Sequence, residues 1–155
     1  MSGKAALFSL PPGLQLPDPP KPAGAYRPAV VFDDIIYLSG FGPRGVDGKP
    51  VIGMIGRDFS IEEGQGLARG IGASILAVLK DTLGSLDRVR QVIRVTGMIH
   101  AVPEFTQHPQ VIDGCSRLLA EVFGERGAHA RMAYGVASLP FGSPVAIDCI
   151  CQIEV

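Results

Sequence analysis

The last eleven residues alternate in character. Val145, Ile147, Cys149, Cys151, Ile153 and Val155 fall on one side, and Ala146, Asp148, Ile150, Gln152 and Glu154 on the other. A period of two predicts a strand with one face in a core. Just upstream, HARMAYGVASLPFGSPVAID (129–148) reads as two apolar strands around a Leu-Pro-Phe-Gly-Ser-Pro turn, which predicts a β-hairpin. Ala29–Phe32 and Ile35–Ser39 flank Asp33-Asp34 and predict another, followed by a turn-rich loop from Gly40 to Lys49. Val89–His100 is a further β-rich run, and Val51–Ile55 leaves room for one short strand.

Elsewhere the period changes to that of a helix. Ser60 with Glu63 three residues on has the spacing of a capping box. Leu67, Ile71, Ile75, Val78 and Leu83 follow at helical intervals until Gly84. Gly64, Gly66, Gly70 and Gly72 inside this helix cost roughly 3–4 kcal/mol against alanine, and close approach of the backbone to a sheet is the expected compensation. A second helix is predicted over Val111–Phe123, after a loop AVPEFTQHP. The order ββ-α-β-α-ββ predicts an α+β fold, a mixed sheet with two helices on one face in a two-layer sandwich. The other face then needs a cover, and an oligomer is the simplest one.

Six prolines between Pro11 and Pro22 favour an extended conformation. Residues 1–24 are therefore read as an N-terminal arm and 25–155 as the folded domain. The arm is expected to be loosely attached before Leu14 and to lie on the surface after it. The 155 residues make one domain. A hydrophobic content of 46% excludes a disordered chain, and 19% charged residues is a low share that fits apolar surface covered by another subunit. A net charge of -1 with scattered Lys and Arg shows no footprint for nucleic acid or an anionic membrane. With no apolar run long enough to span a membrane and no secretory leader evident, a cytoplasmic location is expected.

The cysteines agree. Cys149 and Cys151 share a strand face, a poor geometry for a disulfide, and with Cys115 they read as buried reduced thiols. His100, His108 and His129 show no ligand spacing, so neither a metal nor any other cofactor is expected. GQGLARG has its glycines inside a helix with no strand running into them, so it is no dinucleotide loop. Gly142-Ser143-Pro144 is a turn and no nucleophile elbow.

That leaves Arg131, a permanent cation with no acid beside it in sequence. AYRPAV (25–30), IYLSG (36–40), GSLDRV (84–89), HAR (129–131) and SLP (138–140) stand in an order that resembles the Rid (YjgF) proteins. Those are reactive-intermediate deaminases, formerly labelled endoribonuclease L-PSP. The longer arm resembles a variant branch. The resemblance implies a chorismate-mutase-like fold with a trimeric barrel core and clefts between subunits. It implies that Arg131 clamps the carboxylate of an imino, enamino or keto acid, as a guanidinium can do bidentately. Tyr26, Ser39 and Gly40 match cleft-lining positions.

One departure is chemical. The family's catalytic Glu falls on Ala146, and Asp148 matches a second acid about 7 Å further along the strand. The Arg-Ser-[Cys/Ala] pattern is also changed, to Met132-Ala133. Asp148 and His129 are thus the candidates for acid–base chemistry. The favoured reading is a trimer that binds a small imino, enamino or keto acid in clefts between subunits, with weak or altered deaminase activity. A non-catalytic ligand-binding or chaperone-like trimer is the alternative, and an endoribonuclease the third.

Overall fold

The computed structural model describes residues 8–155. Strands β1 (Ala29–Phe32) and β2 (Ile35–Phe41) lead into helix α1 (Ile61–Leu83), strand β3 (Val89–His100), helix α2 (His108–Phe123), and strands β4 (Ala130–Val136) and β5 (Val145–Ile153). The predicted order ββ-α-β-α-ββ is therefore the observed one. The sheet runs β1-β2-β5-β3-β4, with only β3 and β4 parallel.

Sequence adjacency misled at one point. Strands β4 and β5 are not hairpin partners, because β3 lies between them and pairs with both. The β3–α2–β4 unit joins parallel neighbours through a helix, as parallel strands require. The Leu-Pro-Phe-Gly-Ser-Pro stretch then carries the chain past β3 on a short 3-10 turn at Pro140–Gly142. No strand forms at 51–55, where Ile55 makes only isolated bridges to Phe59 and Ala101.

Helix α1 is set locally. Ser60 Oγ accepts from Glu63 N–H while the Glu63 carboxylate accepts from Ser60 N–H, and Gly84 ends the helix at φ 81°. Helix α2 begins three residues earlier than predicted, with Pro109 in its first turn, where no amide donor is required. Of the four glycines of α1, Gly64 and Gly72 serve the neighbouring helix and not the sheet, whereas a Cβ on Gly66 or Gly70 would meet nothing within 4 Å. Side chains of Val111 and Ile55 pack where Gly64 lacks a Cβ, and Leu118 and Cys115 do so at Gly72. Gly114 of α2 lies so close to the Gln65 carbonyl that any Cβ would collide with backbone. Arg69 on α1 clamps Glu121 on α2 through two bonds of 3.1 and 2.9 Å.

Both helices cover one sheet face, which carries Ile36, Leu38, Val92, Val95, Ile99, Val145, Ile147, Cys149 and Cys151 in the dry core. The three thiols are buried and unbridged, with Cys149 and Cys151 sulfurs 3.6 Å apart. Burial pushes the Cys115 thiol up to about 12, so it is inert at neutral pH. The opposite face is open. Its rows place Tyr37, Ile150 and Arg94 side by side, then Asp148, Thr96 and Met132, then Ala146, Met98 and Tyr134. Val30, Tyr37, Met132 and Tyr134 remain 41–50% exposed there, and Phe32 69%. No helix of the described residues is long and apolar enough to cross a membrane.

The arm is attached further out than expected. Residues 1–7 lie outside the described chain, but Phe8, Leu10, Leu14 and Leu16 all pack against the core. Phe8 meets the Phe123 ring edge-on at 5.2 Å, lies under Arg126, and donates its N–H to Asp87. One aromatic and three leucines have apolar area to bury, and that outweighs the looseness expected of a terminus.

Candidate functional site

Four of the six candidate residues gather in two places on opposite faces of the sheet, Arg131 with His129 and Tyr26 with Gly40. Arg131 pairs in register with Val95, which puts it on the helix-covered face, at the sheet edge formed by β4. Its Nη1 donates to Asp113 Oδ1 at 2.7 Å and to Ser116 Oγ at 3.1 Å. Asp113 and Ser116 stand three apart on α2 and so share one edge of that helix. The acid that sequence adjacency failed to supply therefore comes from eighteen residues away. Among the described residues, only Nη1 of the Arg131 guanidinium is bonded.

His129 belongs to the same network. Its Nδ1 lies 2.6 Å from the Gly127 carbonyl oxygen and its Nε2 lies 2.9 Å from Ser116 Oγ. A carbonyl only accepts, so Nδ1 carries the proton, and in the neutral ring Ser116 Oγ donates to Nε2. Burial lowers the imidazole pKa below its ordinary 6.5; the Gly127 bond opposes this and the Arg131 cation adds to it. The ring is accordingly neutral at pH 7. Asp148 is nowhere near. It lies half-buried on the open face opposite Thr96. The two acid–base candidates do not meet within one chain.

The second place is a cleft of about 160 Å³ where β2 ends and β5 begins. Tyr26, Gly40 and Ala146 line it together, with Phe41, Phe141 and Ser143. A Cβ placed on Gly40 would meet nothing within 4 Å, so nothing in the chain itself requires glycine there. Interior strand glycine is costly, and here it keeps the cleft clear. Ala146 does the same from β5. Phe141 holds φ at 60° and is 66% exposed at the rim. A bulky residue in the left-handed region is a strained conformation of the kind that clusters at binding sites. Ser39 is not part of the lining: its hydroxyl donates to the Arg27 carbonyl at 2.6 Å and ties the strand entering the cleft to the segment before β1.

The sequence reading missed several participants. Asp113 and Ser116 were visible only as a polar i, i+3 pair on the predicted second helix. Lys21 sat unremarked among the prolines and Arg44 in the glycine-rich loop, yet both line the cleft. No cluster of His, Cys, Asp and Glu able to hold a metal ion occurs among the described residues.

Comparison with known proteins agrees with this architecture. Residues 8–153 match the family model described as "YjgF/chorismate_mutase-like, putative endoribonuclease". Protein TCP17 of Trypanosoma cruzi is 35% identical over 154 residues, covering 99% of this chain and 96% of its own. The crystal structure of the protein Atu1372 with unknown function from Agrobacterium tumefaciens is 41% identical. It superposes with a TM-score of 0.84, over 92% of this chain and 87% of that one. That of "a putative endoribonuclease" from Shewanella oneidensis is 30% identical with a TM-score of 0.86, over 91% and 93%. A match over nearly every described residue, with the same two helices on a five-stranded mixed sheet, means that this chain belongs to the YjgF/chorismate-mutase-like family.

Proposed function

We propose that the protein binds a small carboxylate-bearing imine, enamine or 2-oxo acid in the cleft of Tyr26, Gly40 and Ala146, and hydrolyses the imine slowly. The observation that carries this reading is the meeting of three sequence-distant positions around a space that two of them keep empty. Aromatic walls and few polar groups suit a small planar ligand.

The chemistry is undemanding. Water adds to the C=N carbon of the protonated imine, and the resulting carbinolamine expels ammonia and leaves a carbonyl. Neither Asp nor Glu lines the cleft, so water there meets no carboxylate base. Losing a general base typically lowers a rate by 10²–10⁴. What remains is orientation of an electrophile already prone to attack. That same gap favours pure binding as the second reading.

The reading includes a second and third copy of the chain. The open face leaves Val30, Phe32, Tyr37, Met132 and Tyr134 exposed together, and a homotrimer would cover it. Arg131, on the edge strand with Nε and Nη2 unbonded, would then reach a neighbour's cleft and take the ligand carboxylate. Reduced, unbridged thiols suit a cytoplasmic setting.

The test is turnover of freshly generated imino acids by the full chain, with Arg131→Ala as control, alongside sedimentation. The expected result is a trimer and turnover above the solvent rate that depends on Arg131. Binding of 2-oxo acids without turnover would favour the second reading. A stable micromolar monomer, or RNA cleavage indifferent to 2-oxo acids, would overturn the proposal.

A further inference from the structure

The cleft holds two cations that a monocarboxylate bound through Arg131 does not use. Lys21 enters from the arm and Arg44 from the loop after β2, and both line the cleft. Arg44 Nη1 donates to the Gly48 carbonyl at 3.0 Å, which fixes its loop, and no carboxylate among the described residues forms an ion pair with it. Neither acid nearest in sequence forms an ion pair with Lys21 or Arg44 among the described residues. Asp47 faces Lys49 at 3.9 Å. Asp18 lines an adjoining groove, for which Lys21 and Arg44 form part of the shared wall. Arg131, by contrast, has Asp113 at 2.7 Å.

Two like charges on one concave apolar wall raise the local potential for anions. Lys21 also explains why an arm so poor in amide donors crosses the mouth of the cleft. Four consecutive arm residues, Pro20 to Ala23, line it. Three of them are apolar and give shape, and the fourth gives charge.

We propose that the cleft takes a substrate with two anionic groups, a 2-oxo or imino dicarboxylate, whose distal carboxylate is read by Lys21 and Arg44. This rests on the cleft being the ligand site, with the other carboxylate left to Arg131 of a neighbouring copy. It makes the N-terminal arm a specificity element, fitted to substrates longer than a simple amino-acid imine.

Calorimetric titration of the full chain with 2-oxoglutarate and with 2-oxobutyrate tests it. The expected result is a preference of about tenfold for the dicarboxylate, as for a close charge pair in a partly desolvated site. That preference should shrink below about twofold in Lys21→Gln/Arg44→Gln and weaken further with salt. It should survive in Lys21→Arg/Arg44→Lys, which keeps the charges; circular dichroism confirms that each variant is folded. Equal affinity for the two acids, or a preference that persists in the glutamine variant, would overturn the inference while leaving the cleft reading intact. Binding of neither acid would overturn both.

Discussion

The network around Arg131 and the cleft around Tyr26 both contain permanent cations, and they balance them differently. Arg131 has Asp113 and Ser116 beneath it, Ser116 has His129, and His129 has the Gly127 carbonyl. Each of these residues is tied to another of the same chain, and among the described residues only Nε and Nη2 of the Arg131 guanidinium are left over. In the cleft, Lys21 and Arg44 share a lining with apolar side chains, Gly40 and Ala146, and Arg44 donates to a neutral carbonyl, that of Gly48. A closed network fixes α2 to the edge strand. An open one leaves charge for something that is not part of the chain. Within one chain the structure thus sets Arg131 apart from the cleft of Tyr26, although sequence motifs had put the two in one group.

The largest effect should come from changing the cleft's chemistry. Replacing Ala146 by Glu sets a carboxylate on the open face beside Met98, inside the cleft lining. Imine hydrolysis should rise by one to two orders of magnitude, roughly 1.4–2.7 kcal/mol off the barrier. A folded Ala146→Glu protein that hydrolyses no imine faster would show the cleft to be a binding site only.

A smaller effect, on stability and not on rate, is expected from the closed network. Asp113→Ala leaves the partly buried Arg131 cation without its acid and should cost roughly 1–2 kcal/mol, between the values for exposed and fully buried pairs. Urea unfolding measures it. Lys21→Gln/Arg44→Gln, which loses only the exposed Arg44–Gly48 bond and no ion pair among the described residues, should stay within about 0.5 kcal/mol of the parent. Equal losses in the two variants would erase the distinction between the regions.

The smallest effect is a pH dependence. The unfolded chain protonates His129 near the ordinary imidazole value, whereas burial makes the native ring resist the proton until lower pH. Its contribution is therefore complete above about pH 6.5 and is lost as pH falls toward the native value. Melting temperatures between pH 7.5 and 5 should drop less steeply for His129→Gln than for the parent. Identical slopes would mean that the ring titrates as it does in water.

What the sequence disclosed, and what it hid, follows the range of the interaction concerned. Helix α1 was legible to the residue because Ser60, Glu63 and Gly84 act within one turn of themselves. The alternation of β5 was equally plain, since its buried and open residues differ in kind. The pairing of β4 was not, because two apolar runs around a Pro-Gly turn look alike whether or not a third strand comes between them. Phe8 read as part of a loose arm for the same reason: its partner, Phe123, lies far along the chain at the end of α2. Tyr26, Gly40 and Ala146 reached one cleft through motif order alone. Asp113 and Arg44 carry no motif, and only the fold shows which cation is matched and which is not.

The central claim is that ligand binds at Tyr26, Gly40 and Ala146. A crystal structure of the full chain grown with 2-oxoglutarate tests it most directly. The ligand should occupy the cleft against Gly40 and Ala146, with one carboxylate toward Lys21 and Arg44. A 2-oxo acid found instead at the Ser116–His129 pair, with Arg131 turned away from Asp113 and the cleft empty, would contradict the account.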